Sequence, residues 1–437
     1  MDRQTVFGNR FGDANHYRIP SIVTTARGTL VACADARYFG GGDNPNRIDK
    51  IVRRSMDNGK SWGEAIYPVR EQGASKMRAS AAIDPVMVYD CVRDRIILMY
   101  CHTPAGVGIL SCSKGVAVSR SGAIALRMRG RRYWRNADGS VTNARGRETA
   151  YRIAADGGVY DGDARIGNCL TGEGPLQEQN TAYLMSVYSD DDGLTWSAPR
   201  CLNAQVKARY MGFIGPGPGV GVCMREGKHA GRLVVPIYYN SAAGSILMLS
   251  CATIYSDDGG ETWQRGVSPN ETRRRIVRTD KFVLPNEMLT ESQLIELPGG
   301  ALRLFMRNHS GKRLIAMADS TDGGQSWRDY RYNSDLPQCI CQCCVLNVQD
   351  GERPATLFLN AASQKERKNG VLRLSYDYGE TFAHSALIKE GGFVYSCIAA
   401  TADGGVGVLY ETDTEHEKID FVRLTLDEFK EMEPWRN

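Results

Sequence analysis

An eight-residue pattern, Ser-x-Asp-x-Gly-x-(Ser/Thr)-(Trp/Phe), recurs five times in the 437-residue chain and restricts its possible folds more than any other feature. The copies begin at Ser55, Ser189, Ser256, Ser320 and Ser375. The first spacing, 134 residues, is twice the second, 67 residues, so one unit in that gap is expected to have lost its copy. A repeat of this kind indicates one structural unit stacked several times.

Each copy has the composition of a tight hairpin turn. Asp accepts hydrogen bonds from backbone N–H groups, Gly takes a positive φ, and the last aromatic residue fills the space between neighbouring units. A short β-forming run precedes each copy, such as CATIYS before the turn at Ser256. Units of about 65 residues with four short strands give six or seven blades, and we predict an all-β, six-bladed β-propeller.

Residues 104–185 do not follow this rhythm. They contain alternating strand-like and turn-like segments, such as RRYWRNADGSVTN. We therefore predict a small β-rich subdomain at 104–185, inserted within a single propeller domain of residues 1–437. We expect this subdomain to flank the mouth of the active site.

Unusual polar residues gather at one edge of the predicted blades. Antiparallel strands place the start of strand one and the end of strand two at the same edge, and the repeated turns at the other. Counting strands back from each turn assigns nine residues to the first edge: Arg18, Arg37, Asp43, Asp84, Glu291, Arg307, Arg367, Tyr395 and Glu411. A lone arginine would be a surface residue or a structural ion pair. Several arginines and acids near one axis instead indicate a pocket for a small anion.

These residues and the repeated turns resemble the bacterial and animal sialidase superfamily over nearly the whole chain. The turns alone are weak evidence, because other propellers carry them. The more specific features are YRIP at residues 17–20, Arg37 six positions before Asp43, Glu291-Ser-Gln followed by Arg307, and Tyr395-Ser with a closing Tyr410-Glu411. Residues 104–185 also resemble an insertion found between blades of large bacterial sialidases, whose additional lectin domain is absent here.

The resemblance implies how the pocket binds the carboxylate of sialic acid. Arg18, Arg307 and Arg367 look like the three arginines that grip it, and Glu411 resembles the acid that orients Arg18. Arg373 lies near Arg367 in the sequence, but it falls inside a strand rather than in a loop. The binding of a carboxylate by three guanidinium groups is therefore predicted.

The resemblance also implies the residues of the chemistry. Arg37 and Asp84 resemble the pair around the 4-hydroxyl of the sugar, Asp43 the acid/base, Tyr395 the nucleophile and Glu291 its base. Sialidases are the recognised tyrosine-using exception among retaining glycosidases. A neutral phenol avoids the charge repulsion that a carboxylate nucleophile would meet at the anomeric carboxylate. This mechanism requires no metal or other cofactor.

The predicted function is that of an exo-α-sialidase, which hydrolyses terminal sialic acid from glycoproteins or glycolipids with retention of configuration. Two alternatives stay open. The sugar can pass to another acceptor or to its own hydroxyl, as in trans-sialidases, or the chain can be a non-catalytic sialoglycan-binding propeller. A binding protein would have no need of Tyr395, Glu291 and Asp43.

Composition excludes several other classes of function. There are 54 Lys and Arg against 50 Asp and Glu, and the arginine-rich stretch 120–152 has no aromatic or motif pattern typical of a nucleic-acid surface. The start of the chain has no signal-peptide core, and no run approaches the roughly 20 apolar residues of a membrane span. We expect a monomer, cytoplasmic as written or secreted as the catalytic part of a longer precursor.

The 13 cysteines favour a reducing compartment over a disulfide scaffold, since their number is odd and four fall within six positions. These four are Cys339, Cys341, Cys343 and Cys344. A metal cluster is the alternative interpretation. Because alternate residues of a strand face opposite ways, the four thiols are not expected to converge on one ion.

Overall fold

Strands dominate the computed structural model, which describes residues 3–242, 246–273, 283–413 and 415–436. The described helices are short: Asn203–Val206, Pro269–Arg273 and Leu426–Glu431, with 3-10 turns at Lys76–Arg78, Gly227–His229, Pro285–Glu287 and Pro298–Gly300. The predicted all-β class is therefore confirmed. Within these ranges, no helix has the length and apolar character needed to cross a membrane.

Four separate sheets of four or five strands form a propeller-like arrangement. Three of them contain, in order of pairing, Ile214–Pro216, Leu233–Asn240, Leu249–Ser256 and Gln264–Arg265, with Val222–Cys223 alongside; Leu289–Leu297, Ala301–Asn308, Leu314–Ser320 and Arg328–Pro337; and Cys343–Asp350, Arg353–Ala361, Lys368–Ser375 and His384–Gly392. The strands of each are antiparallel and follow one another along the chain, so each sheet is a local meander.

The fourth of these sheets, which we call the closing sheet, joins the two ends of the chain. Its order is Ser396–Ala400, Val406–Glu411, Ile419–Leu424 and Arg3–Phe7, so the first strand of the protein completes its last sheet. Side chains reinforce the closure, because the ring of Trp62 lies edge-on to that of Phe421, with centroids 5.2 Å apart.

Two further groups of strands are joined in one nine-stranded sheet. Its order is His16–Thr24, Leu30–Arg37, Ile48–Ser55, Ala81–Asp90, Arg95–Thr103, Tyr183–Ser189 and Arg200–Cys201, with Ile66–Val69 and Gly219–Val220 alongside. The two groups meet at one parallel pairing, between Ile48 and Ala81. Everywhere else along this order the neighbouring strands are antiparallel.

The innermost strands of the different sheets surround a shared axial cavity of about 580 Å³. Its lining includes Ile22, Val220, Leu294, Val345 and Ile398, which are supplied by different strands. Large apolar clusters fill the spaces between neighbouring sheets. The sheets therefore converge on one axis. Many of their strands are buried along their whole length, as face-to-face packing of neighbouring sheets requires.

The repeated turns share one hydrogen-bond pattern, illustrated by the copy at Ser320. Its hydroxyl donates to Asp322 (2.7 Å) and accepts from the N–H of Gly324 (3.0 Å). Asp322 also accepts from the N–H and the hydroxyl of Ser326, at 2.9 and 2.6 Å. The expected positive φ is present at Gly324 (85°), and also at the preceding Gly323 (68°).

The 134-residue gap between the first two turns does not contain a unit that has lost its copy, so that prediction is wrong. Strand Tyr183–Ser189, which leads into the second turn, pairs directly with Arg95–Thr103. The chain between these two partners forms a separate seven-stranded sheet instead. The extra length is therefore added between two paired strands, and spacing alone could not distinguish this from a missing turn.

The seven-stranded sheet lies inside residues 104–185. Its order is Ala164–Asn168, Gly158–Asp161, Glu148–Ile153, Ser140–Asn143, Arg131–Arg135, Ile124–Met128 and Gln177–Glu178. One face carries its own apolar cluster, which includes Leu126, Val141 and Val159. A buried ion pair fixes the sheet to the neighbouring strands, since His102 lies 3.0 Å from the carboxylate of Glu178.

Replacement of Asp322 by alanine removes its bonds to Ser320, Gln325 and Ser326. We expect a lower urea midpoint, equivalent to about 2 kcal/mol, because hydrogen bonds to a charged acceptor contribute on the order of 1–3 kcal/mol. Thr321→Ala, at an exposed position of the same turn, is the matched control. Equal effects of the two substitutions would show that the carboxylate does not hold the turn.

Candidate functional site

The structure places the nine predicted residues at the ends of strands that face one edge of the axis. Their positions follow the strand bounds: Arg18 and Arg37 at the same end of a strand pair, Asp43 in the next loop, Asp84 in Ala81–Asp90, Glu291 and Arg307 in paired strands, Arg367 before Lys368–Ser375, Tyr395 before Ser396–Ala400, and Glu411 at the end of Val406–Glu411. The repeated turns lie at the opposite ends of the same sheets. The edge therefore combines side chains that are distant in the sequence.

Tyr395, Glu291 and Arg307 form the centre of the site. The Tyr395 hydroxyl donates to Glu291, and Nη1 of Arg307 donates to both, at 2.5 Å to Glu291 and 2.9 Å to the phenol oxygen. Burial and then the charge of Glu291 raise the pKa of Tyr395 well above its usual value. The phenol is therefore neutral at rest, with a carboxylate positioned to take its proton.

Two more arginines flank this tyrosine. The guanidinium carbons of Arg18 and Arg367 lie 5.5 and 5.7 Å from the centre of its ring. Arg373 does not contribute, because it is buried in its strand and donates to Asn360 at 3.0 Å. Arg18, Arg307 and Arg367 thus surround one small volume above the phenol, as a binding site for a carboxylate requires.

Glu411 holds Arg18 in place from the far end of the chain. Its fully buried carboxylate lies 3.4 Å from Nε of Arg18 and accepts the backbone N–H of Ile19 at 2.8 Å. Although burial would raise the pKa of Glu411, Arg18 and then His416 lower it below the usual value. A charged carboxylate under Arg18 therefore fixes the orientation of that guanidinium group.

Asp43 is shared by two arginines. It accepts from Nη1 of Arg37 at 2.7 Å and from Nη1 of Arg18 at 3.3 Å, although its side chain is 64% exposed. Desolvation would raise the pKa of Asp43, but the charges of Arg37 and Arg18 lower it to about 2. In this arrangement Asp43 is ionised at neutral pH.

The loop that carries Asp43 is held on both sides. Asn44 donates from its side chain to Thr103 at 2.9 Å, and Asn46 donates to the carbonyls of Gly40 and Gly42, both at 2.9 Å. Thr103 ends the strand that precedes the segment containing the seven-stranded sheet. The loop is therefore braced at its base, while the Asp43 side chain remains accessible.

Asp84 is buried beside Tyr238, which donates to it at 2.7 Å. Desolvation, followed by the charges of Asp35, Glu291 and Asp43, raises the pKa of Asp84 to about 8. The carboxyl is therefore mostly protonated at neutral pH and available as a donor. Asp84 is not an ion-pair partner of Arg37, whose acidic partners are Asp35 and Asp43. The role of Arg37 and Asp84 around a hydroxyl of the sugar stays a prediction.

Sequence reasoning missed several residues that support the site. Asp35 accepts from Arg37 at 2.8 Å and from the buried Lys50. It lies two positions before Arg37 in one strand, a spacing that places both on the same face and could have revealed it. Tyr238 and His416 carry no such signal, because their partners lie on other sheets.

The cysteine cluster divides among different surroundings. Cys339 and Cys341 lie in one apolar cluster with Tyr395, and Cys341 donates to the Val394 carbonyl at 3.2 Å. Cys343 and Cys344 belong to separate apolar clusters. In the described part of the chain, no group of three or more His, Cys, Asp or Glu residues is arranged to hold a metal ion.

The model of the BNR repeat-like domain matches residues 171–408, which is more than half of the chain. An anhydrosialidase of Macrobdella decora is 28% identical over 91% of this chain and 58% of its own length. A sialidase of Bacteroides fragilis is 26% identical over 94% of this chain and 63% of its own length. The chain therefore spans about three fifths of these relatives.

A solved structure shows the same similarity in three dimensions. The crystal structure of the intramolecular trans-sialidase from Ruminococcus gnavus, in complex with oseltamivir carboxylate, aligns with a TM-score of 0.82 at 25% identity. The alignment covers 98% of this chain and 97% of that one. The similarity thus includes the propeller-like sheets and the seven-stranded sheet together.

Substitution of Glu411 by glutamine keeps the shape but leaves Arg18 without its buried counter-charge. We expect the protein to lose about 3 kcal/mol of stability at neutral pH, because an uncompensated buried charge is costly. The folded-state pKa of Glu411 is lowered, so the stabilisation is present above the unfolded value of about 4.5 and is lost as pH falls further. Urea unfolding of the variant and the wild type between pH 7 and pH 3 measures this.

The control is Glu417→Gln, at an exposed position six residues away. It should leave the urea midpoint unchanged at every pH. A Glu411→Gln protein as stable as the wild type at pH 7 would refute the importance of this ion pair.

Proposed function

Because the chain belongs to the sialidase superfamily and contains its BNR repeat-like domain, we propose that it releases terminal α-linked sialic acid from glycans through a covalent tyrosyl intermediate. One observation carries the proposal. A buried tyrosine donates to a carboxylate while three arginines surround its ring and hydroxyl. This combination provides a nucleophile, its base and an anion site in one volume.

The arginines account for the choice of substrate. Sialic acid carries a carboxylate on the anomeric carbon, and the carboxylate would be held by Arg18, Arg307 and Arg367. Arg307 already uses Nη1 on Glu291 and Tyr395, while its Nε has no partner among the described residues. Binding the carboxylate here would place the anomeric carbon above the phenol oxygen.

In the first displacement Glu291 would take the proton of Tyr395 as the phenol oxygen attacks the anomeric carbon. The glycosidic bond breaks, and Asp43, which takes up a proton from solvent when the substrate binds, gives that proton to the departing oxygen of the aglycone. The arginine neighbours stabilise the carboxylate of the substrate throughout, and the uncharged phenol avoids repulsion by it. The products of this step are the free aglycone and a tyrosyl-sialic acid intermediate.

In the second displacement Asp43, now a carboxylate, would take a proton from water as the water attacks the anomeric carbon. The bond to the phenol breaks, and Glu291 returns the proton to Tyr395. Two displacements at one carbon retain the configuration. The reaction is then an exo-α-sialidase reaction on glycoproteins or glycolipids.

A second candidate differs only in what attacks the intermediate. A hydroxyl of the sialic acid itself would give an anhydro sugar, a possibility favoured by the similarity to an anhydrosialidase and to an intramolecular trans-sialidase. NMR of the first-formed product separates the two, because hydrolysis gives the α-anomer of the free sugar. Initial release of the β-anomer would contradict both candidates.

We also propose how the architecture serves this site. The nine-stranded sheet counts as two blades, which with the four separate sheets gives one six-bladed propeller. The seven-stranded sheet is then an insertion within the second blade, rooted at Thr103 beside the Asp43 loop. A crystal structure with another number of blades, or with the halves as separate domains, would refute this assignment.

Replacement of Tyr395 by phenylalanine should abolish the covalent adduct and lower kcat by at least about a hundredfold, because the attacking oxygen is lost while the ring remains. A fluorinated sialic acid with a good leaving group traps the adduct in the wild type, since fluorine slows its breakdown. Peptide mapping by mass spectrometry locates the label. Tyr376→Phe, on the opposite edge, should label normally, and a label on any other residue refutes the assignment.

Binding of the 2,3-dehydro analogue of sialic acid should be accompanied by proton uptake. In the free protein Arg37 and Arg18 lower the pKa of Asp43 to about 2, so Asp43 is ionised. The ligand carboxylate partly neutralises the arginines and excludes water, which raises the pKa of Asp43 in the complex. Affinity should therefore increase as pH falls from 7 to 5.

Titration calorimetry in buffers of different ionisation enthalpy counts these protons. The Asp43→Asn protein has no carboxyl to protonate and should bind the analogue with little or no uptake. Equal uptake by the wild type and the variant would exclude Asp43 as the acid.

A further inference from the structure

The seven-stranded sheet carries positive charge that the proposed chemistry does not use. Residues 124–168 contain nine arginines and five acidic residues, a net charge of +4 from side chains. The whole chain has the same net charge, +4, so the other residues sum to zero. The net charge of the protein is therefore concentrated in residues 124–168, which contain six of the seven strands of this sheet.

Strand register collects much of this charge on the outer face of the sheet. Arg127 pairs with Arg132, and Arg152 pairs with Tyr160, which in turn pairs with Arg165. These four arginines are exposed, whereas the apolar cluster occupies the other face. Arg165 is paired with Asp156 at 3.0 Å. We call this outer surface the basic face.

Two aromatic side chains lie among the arginines. Trp134 is half-buried two positions after Arg132 in the same strand, and the Arg132 guanidinium carbon lies 5.6 Å from its ring centre. Trp134 pairs with Thr142 on the next strand, and Tyr160 lies further along the face. The basic face thus combines guanidinium groups, aromatic rings and a hydroxyl.

The pairing of Arg127 with Arg132 costs stability. Like charges directly opposite on antiparallel strands repel each other. No carboxylate forms an ion pair with either arginine in the described ranges. Arg135 shows the contrast, since it lies on the inner face of the same strand as Arg132 and pairs with the buried Glu178 at 3.0 Å. The sheet neutralises its buried arginine and leaves the two opposed outer arginines uncompensated.

Such a surface fits an anionic carbohydrate. Guanidinium groups bind carboxylates through two parallel hydrogen bonds, and exposed aromatic rings pack against the apolar faces of sugar rings. The sheet is also attached close to the pocket, because Ala105 donates to Leu170 at 2.8 Å and Thr103 accepts from Asn44. The sheet is therefore rooted beside the loop that carries Asp43.

We propose that the basic face is a second binding site, for the acidic residues of a multiply sialylated glycan whose terminal sugar enters the pocket. This inference deepens the proposed function and rests on it for the identity of the acidic sugar. Arg127 and Arg132 supply the main charge contacts, and Trp134 supplies the stacking surface. The glycosidic bond of the terminal sugar is cleaved in the pocket, and the basic face raises the affinity of the protein for polymeric substrates.

The test measures binding of α2,8-linked polysialic acid to the full-length protein by biolayer interferometry at physiological salt. All proteins carry Tyr395→Phe, so that the polymer is not cleaved. Arg127→Ser with Arg132→Ser should raise Kd at least tenfold, and Trp134→Ala should raise it further. The control is Lys60→Ser with Arg328→Ser, which removes the same charge from exposed positions near the repeated turns and should leave Kd unchanged.

Folding is checked independently, because the urea midpoint of the Arg127→Ser, Arg132→Ser protein should equal or exceed that of its parent once the repulsion is removed. The proposal is overturned if the two double variants bind equally well. It is also overturned if single-stranded DNA of similar charge binds the basic face more tightly than polysialic acid. The proposed function is tested separately, by the activity of the protein with Tyr395 intact on a small aryl sialoside. The second binding site and the proposed activity can therefore be refuted independently.

Discussion

The closing sheet, which joins the two ends of the chain and so closes the ring of sheets, is the constraint on which the rest of the structure depends. The strand Arg3–Phe7 completes the sheet that contains Ile419–Leu424, and this brings Arg18 to Glu411 across 393 sequence positions. Without this pairing, Tyr395 and its neighbouring strands would not face the strands that carry Arg18 and Asp43. The candidate site therefore depends on the pairing of the two ends of the chain, because it combines residues from both.

Charge compensation then decides how the edge is organised. The buried guanidinium groups of Arg18 and Arg37 both have carboxylate partners, and Asp43 is shared between them. Asp43 compensates these arginines from the exposed side, whereas Glu411 compensates Arg18 from the buried side. The carboxylates on both sides offset the cost of burying the guanidinium groups.

The seven-stranded sheet divides its polar groups in the same way. On its inner side His102 lies between Glu71 and Glu178, and although desolvation would lower its pKa, these carboxylates raise it to about 10. A charged histidine is thereby part of the attachment of the sheet to its neighbours. On the outer side, Arg127 and Arg132 face solvent without such compensation. The buried charges hold the sheet to the neighbouring strands, whereas Arg127 and Arg132 are the exposed charges to which we assign ligand binding.

Much of the fold and of the candidate site could be predicted from the sequence. The repeated turns gave the order of the strands in each unit, and this order placed Arg18, Glu291 and Tyr395 at the starts of strands. Turn chemistry and strand alternation are local, so they determined the all-β class and the edge on which the polar residues lie. Contacts between sheets are not local. The structure alone showed that Tyr238 donates to Asp84, and that the long gap holds an added sheet. Spacing cannot encode these choices, since they depend on which distant strands become neighbours when the ring closes.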